Sequence, residues 1–542
     1  MKSVSLGSMD PWKDNPNNTA DGITTEASFV VDLGDGVSAN NNAQGSDYYV
    51  LIVMNNGEEN KIIYPSDGDT YADWSEISGN VYPYNYATVS DGIIMANAPK
   101  WNGSGNAPTT LVNIAGIYST KEAAEANAAT TIYVERGVAK ASMQSGVSKV
   151  DGGTYDGDKV KIVHWGLDVM NQVTYPVHVT AGLESVANGA NASGSWTSMW
   201  STPRFYDQTS SEFKRVYWGK DPNYNADEWS EDYENNFFTM DQSGHVDDAP
   251  YYGDYTRGED GGDAGYFIMF DVSKSIYCLE NTFDIYNQKQ GQTTRAVFMA
   301  KYEPACLSEE ERKDWDDGGY NGTFFKVGNN TKLLSPSMLV EYVKKCMADA
   351  YNEVCSKNID ASKVKISDFR QALVHVKEYI DKSCGLSSED LYEPYAVESG
   401  QMDFLSICAS LYDYTTIDGT ELSTNPEWRI GFNKVLTDKL SNVQVYLNGI
   451  SYYVARIKHF NDFYTPWAPG QPRYDGDNAK YLGRYGMVRN NWYDLTVNSI
   501  SGPGSPVVPE IDKDKPDDEE NSYISVNVKI LDWAKRTQKV DL

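Results

Sequence analysis

The sequence predicts an all-β framework with helical insertions, and three observations lead there. The last patterned stretch, Tyr523 to Trp533, alternates Ile524, Val526, Val528 and Ile530 with Ser525, Asn527 and Lys529. That is the period of a strand with one dry face and one wet face. Short runs of similar character recur along the chain between breaks rich in Gly, Asn and Asp, as in proteins built from many short strands. Helical spacing is confined to one alanine-rich stretch and two stretches in the second half. At 542 residues the chain suits two or three domains.

Residues 1–23 are polar and rich in Asn, Asp and Pro, the composition of a loose leader or tag. The first strand is expected at Ala27–Leu33, with Ala27, Phe29, Val31 and Leu33 on one face, and a loop rich in Gly and Asn follows over 34–47. Tyr48–Met54, an Asn56-Gly57 turn and Lys61–Tyr64 read as a hairpin. Ser119–Ala129 is alanine-rich and opens on Ser119 and Thr120, so a short capped helix is expected. Strands follow at Thr131–Ala141 and Val160–Val169. A long extended run ends over Asn171–Pro176, and a boundary between an N-terminal domain, 24–173, and a C-terminal domain, 174–533, is drawn there.

In the second half, Ser335-Pro336 opens a helix expected over 335–357. Ser caps it, and Pro takes the first helical position, where its missing N–H costs nothing. Leu339, Tyr342, Val343, Cys346 and Ala350 form its packing stripe. A second helix is expected over 367–384, through Phe369, Leu373, Val376 and Ile380 to a stop at Gly385. An Asn448-Gly449 hairpin then leads into a strand over 451–457. The acidic run from Asp512 to Glu520 reads as a solvated loop.

Composition narrows the function. With 77 Asp and Glu against 46 Lys and Arg, the net charge is -31, which repels phosphate backbones and anionic membranes, so nucleic acid is not an expected partner. The longest strongly apolar run, Tyr48–Met54, is far short of the roughly 20 residues of a membrane helix, and no transmembrane segment is expected. No charged start followed by an apolar stretch opens the sequence, so any export signal is expected to have been removed. The six cysteines, Cys278, Cys306, Cys346, Cys355, Cys384 and Cys408, include no C-x-x-C, which argues against a zinc site and leaves disulfides and buried thiols both open. Walker, zincin and nucleophile-elbow patterns are missing, and the five histidines are scattered. No catalytic residue, cofactor or metal is therefore expected. The aromatic runs Tyr82–Tyr86 and Tyr251–Tyr255 have the side chains to stack sugars, and paired acids such as Asp247-Asp248 are the groups a glycosidase needs. A glycan-binding surface lipoprotein and a secreted glycoside hydrolase are accordingly the alternative readings.

After Trp533 a nine-residue tail, Ala534–Leu542, alternates again at Lys539, Val540, Asp541 and Leu542, with no Gly or Pro to turn it back. Such a tail can add itself to another chain's sheet. Upstream lies Tyr485–Ile500, containing Val488, Arg489, Asn490, Trp492 and Tyr493, and then Ser501-Gly-Pro-Gly-Ser-Pro506. Together with Trp533 this stretch resembles the fimbrillins of Bacteroidales, the major subunits of short-fimbria, type V pili. The resemblance also touches Ile132–Lys140, Arg215–Tyr224, Cys278–Asn281 and Thr293–Phe298.

The resemblance implies two transthyretin-like β-sandwich domains, the second larger and carrying the helices. It implies a structural subunit of a surface fimbrium, exported as a lipoprotein precursor, attached to the outer membrane and serving adhesion and biofilm growth. Partners would be copies of the chain in a head-to-tail fibre, anchor and tip subunits, and host or bacterial surface ligands. In the family the first strand is cut away and a neighbour's C-terminal strand fills the space. By position, the removable strand is Ala27–Leu33, and the donor is the tail with Thr537, Lys539, Val540, Asp541 and Leu542. One departure stands out: 34–47 contains neither Arg nor Lys, and the first Arg is Arg136, so the family's arginine-specific cut cannot fall in that loop.

Overall fold

The structure is a computed structural model. It describes residues 92–101, 108–127, 130–181, 214–224, 270–284, 287–312, 322–328, 332–367, 443–460, 481–512 and 524–532, with shorter pieces elsewhere between 1 and 515.

Eight strands form two four-stranded sheets. They are Ala139–Ser145 (β1), Lys159–Asp168 (β2), Phe270–Asp271 (β3), Ile276–Cys278 (β4), Arg295–Glu303 (β5), Ile450–Arg456 (β6), Asn491–Ile500 (β7) and Ile524–Asp532 (β8). The first sheet runs β4-β1-β7-β8 and the second β3-β2-β5-β6. Pairing is antiparallel except between β1 and β7, which run parallel from Lys140 opposite Trp492 to Ser145 opposite Val497. Alternate residues of β7, namely Tyr493, Leu495 and Val497, are buried, as are Ala139, Ala141 and Met143 of β1. They join Ile162 and Trp165 of β2, Phe298 of β5 and Tyr453 of β6 in one apolar cluster. The two sheets thus bury their facing sides against each other, as in a sandwich, at about 1.5–3 kcal/mol for each large apolar side chain removed from water.

The stretch after β7 crosses the second sheet. Tyr453 Oη donates to Gly502 O at 2.9 Å and Tyr446 Oη to Gly504 O at 2.8 Å, while Tyr452 and Ser505 exchange backbone hydrogen bonds of 2.7 and 2.8 Å. A Cβ at position 504 would lie 2.1 Å from Tyr452 O, so only glycine lets the backbones approach this closely. Arg295, at the start of β5, is buried with Asp168, Nε to Oδ2 at 2.7 Å.

Shorter pairings surround the sandwich. Met95–Asn97 lies between Val134–Arg136 and Val53–Met54, over a second cluster holding Ile62, Trp74, Ile94 and Ala96 with Val138, Val177 and Leu279. The Asn97 side chain ties this part together, accepting from Ile52 N–H at 2.9 Å and donating to Val50 O and Thr110 O at 3.0 and 2.9 Å. Three α-helices are present among the described residues: Tyr71–Ser75, Lys121–Glu125 and Pro336–Cys355. The fold is therefore all-β with helical insertions. No helix among them is long and apolar enough to cross a membrane.

The long helix starts as its sequence dictates. Ser335 Oγ accepts from Met338 N–H, Pro336 opens the first turn, and Leu339, Val343, Cys346 and Ala350 are buried. The alanine-rich helix is shorter than expected, Lys121–Glu125, capped by Thr120. The expected helix over 367–384 lies, beyond Ser367, outside the described residues, as do Cys384 and Cys408. Cys278, Cys306, Cys346 and Cys355 are free thiols.

Several sequence expectations are corrected. Asn56 is tied to Ile62, its amide bonding Ile62 O and Ile62 N–H at 2.9 and 2.6 Å, but the strands before it are not paired with the described part of the expected second arm. Tyr49–Val50 pairs with Val112–Asn113 and Val53–Met54 with Met95–Ala96, whereas 62–64 is in no strand. The Asn448-Gly449 turn likewise joins two sheets: Val443–Tyr446 pairs with Phe324–Val327 and β6 with β5. In both places the strands before the turn pair with segments far away in sequence instead of with the local arm. The run Thr131–Ala141 is broken at Gly137-Val138. Lys13–Asp14, in the expected leader, pairs with Thr25–Glu26 just after it. The boundary drawn over Asn171–Pro176 separates hydrogen-bonded neighbours, since β1 and β2 lie on one side of it and their partners β7 and β5 on the other.

Candidate assembly site

Among the described residues, strand β8 is an edge of the first sheet. It follows β7 in register from Ile524 opposite Ile500 to Asp532 opposite Asn491, with one irregularity between Val497 and Ser499. The alternation read in the sequence is thus a strand paired within its own chain. Trp533 and the tail residues Thr537, Lys539, Val540, Asp541 and Leu542 lie outside the described residues, and so do Ala27 and Phe29. Of the candidate removable strand, Val31 and Leu33 are half-buried and Val30 and Asp32 exposed, the expected alternation, yet Val30–Leu33 belongs to no strand.

Of the C-terminal motif, Val488, Arg489, Asn490 and Tyr493 are buried at the foot of β7 and Trp492 is half-buried. Trp492 Nε1 donates to Ser142 Oγ at 2.6 Å, and Ser142 Oγ donates to Asp494 Oδ1 at 3.0 Å. This relay fixes the parallel register of β1 on β7. Lys140 Nζ sits 4.7 Å from the Trp492 ring centre, a cation–π contact. Tyr493 Oη accepts from Val488 N–H at 2.8 Å, so its own proton goes to His459 Nδ1, 2.8 Å away. Burial, with Arg215 nearby, pushes the His459 pKa down to about 3, which keeps the ring neutral and able to accept.

Arg489 and its neighbours form a buried ionic network. Arg489 Nε lies 3.0 Å from Glu280 Oε2, and Nη2 donates at 3.4 Å to both Thr174 Oγ1 and Tyr175 O. Arg215 Nη2 donates to Arg489 O at 3.3 Å, and Arg215 Nε lies 3.4 Å from Glu135 Oε2. Glu135 Oε1 is 2.7 Å from His178 Nδ1. Burial alone would push the Glu135 carboxyl up, but His178, Arg215 and Arg489 together hold it below the usual range. Beside the network lies a small cavity of about 10 Å³ lined by Asn97, Glu135, Pro176, His178 and Arg489. That is about the room one water needs, and far too little for a small-molecule ligand.

The residues that meet here come from separate segments the sequence had already set apart. Glu135 belongs to Ile132–Lys140, Arg215 to Arg215–Tyr224, Glu280 to Cys278–Asn281 and Arg489 to Tyr485–Ile500. Their mutual contact was not legible, because ion pairing across 209 positions, as between Glu280 and Arg489, leaves no periodic trace. His178 was missed for a related reason, being a lone histidine in a loop.

The aromatic runs Tyr82–Tyr86 and Tyr251–Tyr255 lie outside the described residues. Among the described residues no group of three His, Cys, Asp or Glu side chains could hold a metal ion.

Fold and junction define a β-sandwich protein whose buried charges hold strands together and whose C-terminal strand lies on a sheet edge. Residues 444–539 match the family described as major fimbrial subunit protein type IV, fimbrillin, C-terminal. The C-terminal part of this chain, carrying β6, β7 and β8, is therefore similar to a fimbrillin C-terminal region, where the resemblance read in the sequence also lies. The family so described is one of fimbrial subunits.

No curated protein matches the chain. Among solved structures, a candidate cell adhesion protein of Parabacteroides distasonis is 10% identical with a TM-score of 0.34, covering 90% of this chain and 83% of its own. A fimbrilin of Porphyromonas gingivalis is 9% identical with a TM-score of 0.30, covering 90% and 80%. A candidate cell adhesion protein of Bacteroides eggerthii is 10% identical with a TM-score of 0.28, covering 94% and 82%. Superpositions this loose carry nothing further.

Proposed function

We propose that the chain is a subunit of a bacterial surface fimbrium that polymerises by donor-strand exchange, with Ala534–Leu542 as the donor. The observation that carries this reading is the position of β8 on a sheet edge, inside the fimbrillin C-terminal match and immediately before the tail. A tail of nine residues spans roughly 30 Å at about 3.3 Å per residue. Burying its alternate apolar residues in a neighbour contributes several kcal/mol at about 25 cal/mol per Å², before ordering costs. A C-terminal strand entering a groove elsewhere on its partner is a head-to-tail contact that does not close, and such contacts give open fibres.

The acceptor in this reading is the N-terminal part, whose strand Ala27–Leu33 is either removed by a protease that does not need arginine or retained in a basal subunit. Two transthyretin-like sandwich domains, 24–173 and 174–533, belong to the same proposal. Lipoprotein export, outer-membrane attachment, anchor and tip partners, surface ligands and a role in biofilm also belong to it. Deleting Ala534–Leu542 and imaging the cell surface tests it: fibres are expected to be lost, and fibres of undiminished length would reject the donor role.

A further inference from the structure

His459, 4% exposed, sits where the end of β6 meets the approach to β7. Its N–H donates to Arg484 O at 2.9 Å and Phe460 N–H donates to Gly483 O at 3.0 Å, while Lys458 pairs with Tyr485, so 458–460 is fastened to 483–485. The side chain reaches β7 itself, with Nδ1 2.8 Å from Tyr493 Oη. Because Tyr493 Oη accepts from Val488 N–H, the phenol proton points at Nδ1 and the imidazole carries its own proton on Nε2. Nε2 has no hydrogen-bond partner among the described residues, and the rings of Trp218 and Phe460 stand 5.8 and 4.4 Å from the imidazole, centre to centre. A second proton, placed on Nδ1, would meet the phenol proton inside an apolar enclosure. The surrounding charges do not favour it either. Arg215, which acts on the ring, is itself a cation. Glu135 and Glu280 are engaged by Arg215 and Arg489, Arg484 Nη1 is bound to Thr465 O, and burial keeps Cys278, near Tyr493, a neutral thiol.

We propose that the His459–Tyr493 pair is an acid-sensitive latch on the junction between the end of β6 and the start of β7. With the imidazole neutral, the pair holds 458–460 and 483–488 against β7. Once the opened junction takes up a proton on His459, it cannot close until that proton leaves. The opening is local, because Phe460, Trp218, Leu482 and Val488 belong to a cluster separate from the core between the two sheets. Burial, with Arg215 beside it, brings the closed imidazole down to about 3, well below the ~6.5 of an exposed ring. The latch is therefore fully effective above about pH 6.5 and weakens as pH falls toward 3, the open population rising about ten-fold for each pH unit. It does not depend on the donor reading above.

Hydrogen exchange of the full-length protein tests it, read by mass spectrometry between about pH 7 and pH 4 and corrected for the intrinsic exchange rate at each pH. Peptides covering 458–460 and 483–488 are expected to lose protection by up to about ten-fold per pH unit below ~6.5, while β2 and β5 keep theirs. His459→Gln retains a neutral acceptor for Tyr493 without the titration, and its junction is expected to hold the same protection throughout that range. Parent and variant losing protection alike, junction and β5 opening together, or a parent junction indifferent to acid would each overturn the latch. Should His459→Gln not fold, the nitrogen chemical shifts of the parent, labelled in its histidines, decide. A His459 ring still neutral at about pH 4, with its proton on Nε2, is the expected result, and titration of the folded ring near 6.5 would overturn the proposal.

Discussion

Arg489 and Glu280 are 3% and 0% exposed at the side chain, so each depends on the other for its charge. Removing one partner of a buried pair strands the other, at about 3–5 kcal/mol, whereas replacing both with apolar groups of similar volume is often near neutral. Arg489→Ala is therefore expected to lower the urea midpoint strongly, and Arg489→Met combined with Glu280→Leu to recover most of the loss. Gly219 lies against the same network: a Cβ there would meet His178 Cδ2 and Nε2 at 2.2 and 2.3 Å. Glu311 gives a pH dependence. Burial pushes its carboxyl up, but Ser308 N–H at 2.8 Å, Ser337 N–H at 3.0 Å and Ser337 Oγ at 2.7 Å outweigh it and bring the pKa to about 2. Because the folded pKa lies below the unfolded one, this stabilisation is present above the ordinary carboxyl range, about pH 4.3, and is lost as pH falls toward 2. Glu311→Gln is expected to flatten the acid limb of the stability curve in that window and change little at neutral pH beyond a constant offset, read by urea melts at several pH values.

The helix Pro336–Cys355 shows how far local sequence reaches. Its cap, its opening proline and its buried stripe are set by residues within a few positions of one another, and all were legible. Ser335→Ala is expected to cost about 1 kcal/mol and Leu339→Ala about 2–5 kcal/mol, measured by chemical unfolding. Strand β8 was legible for the same reason, since alternation is a property of the strand alone. The arms of the turns at Asn56 and Asn448 were not, because a turn fixes only where the chain bends, and each arm chose a partner far away. The parallel pairing of β1 with β7 brings together Ser142 and Asp494, 352 positions apart, a contact that no local alternation foretells. The ionic network at Arg489 was visible only as separate segments of resemblance, because long-range complementarity of charge has no period.

At the scale of the whole molecule, a net charge of -31 makes every copy repel the next. Screening lengths shrink from about 30 Å at 0.01 M salt to about 8 Å at 0.15 M, so fibre growth from purified subunits is expected to speed up over that range, as followed by light scattering. Growth that slows with salt would mean that attraction between opposite charges drives assembly. The central claim concerns which molecule the last residues touch. It is tested most directly by placing a photo-crosslinker at Val540, mixing isotopically light and heavy subunits before assembly, and reading the linked peptides by mass spectrometry. Pairs joining a light tail to a heavy partner are predicted; linked pairs carrying only one isotope would show the tail bound within its own chain and contradict the account.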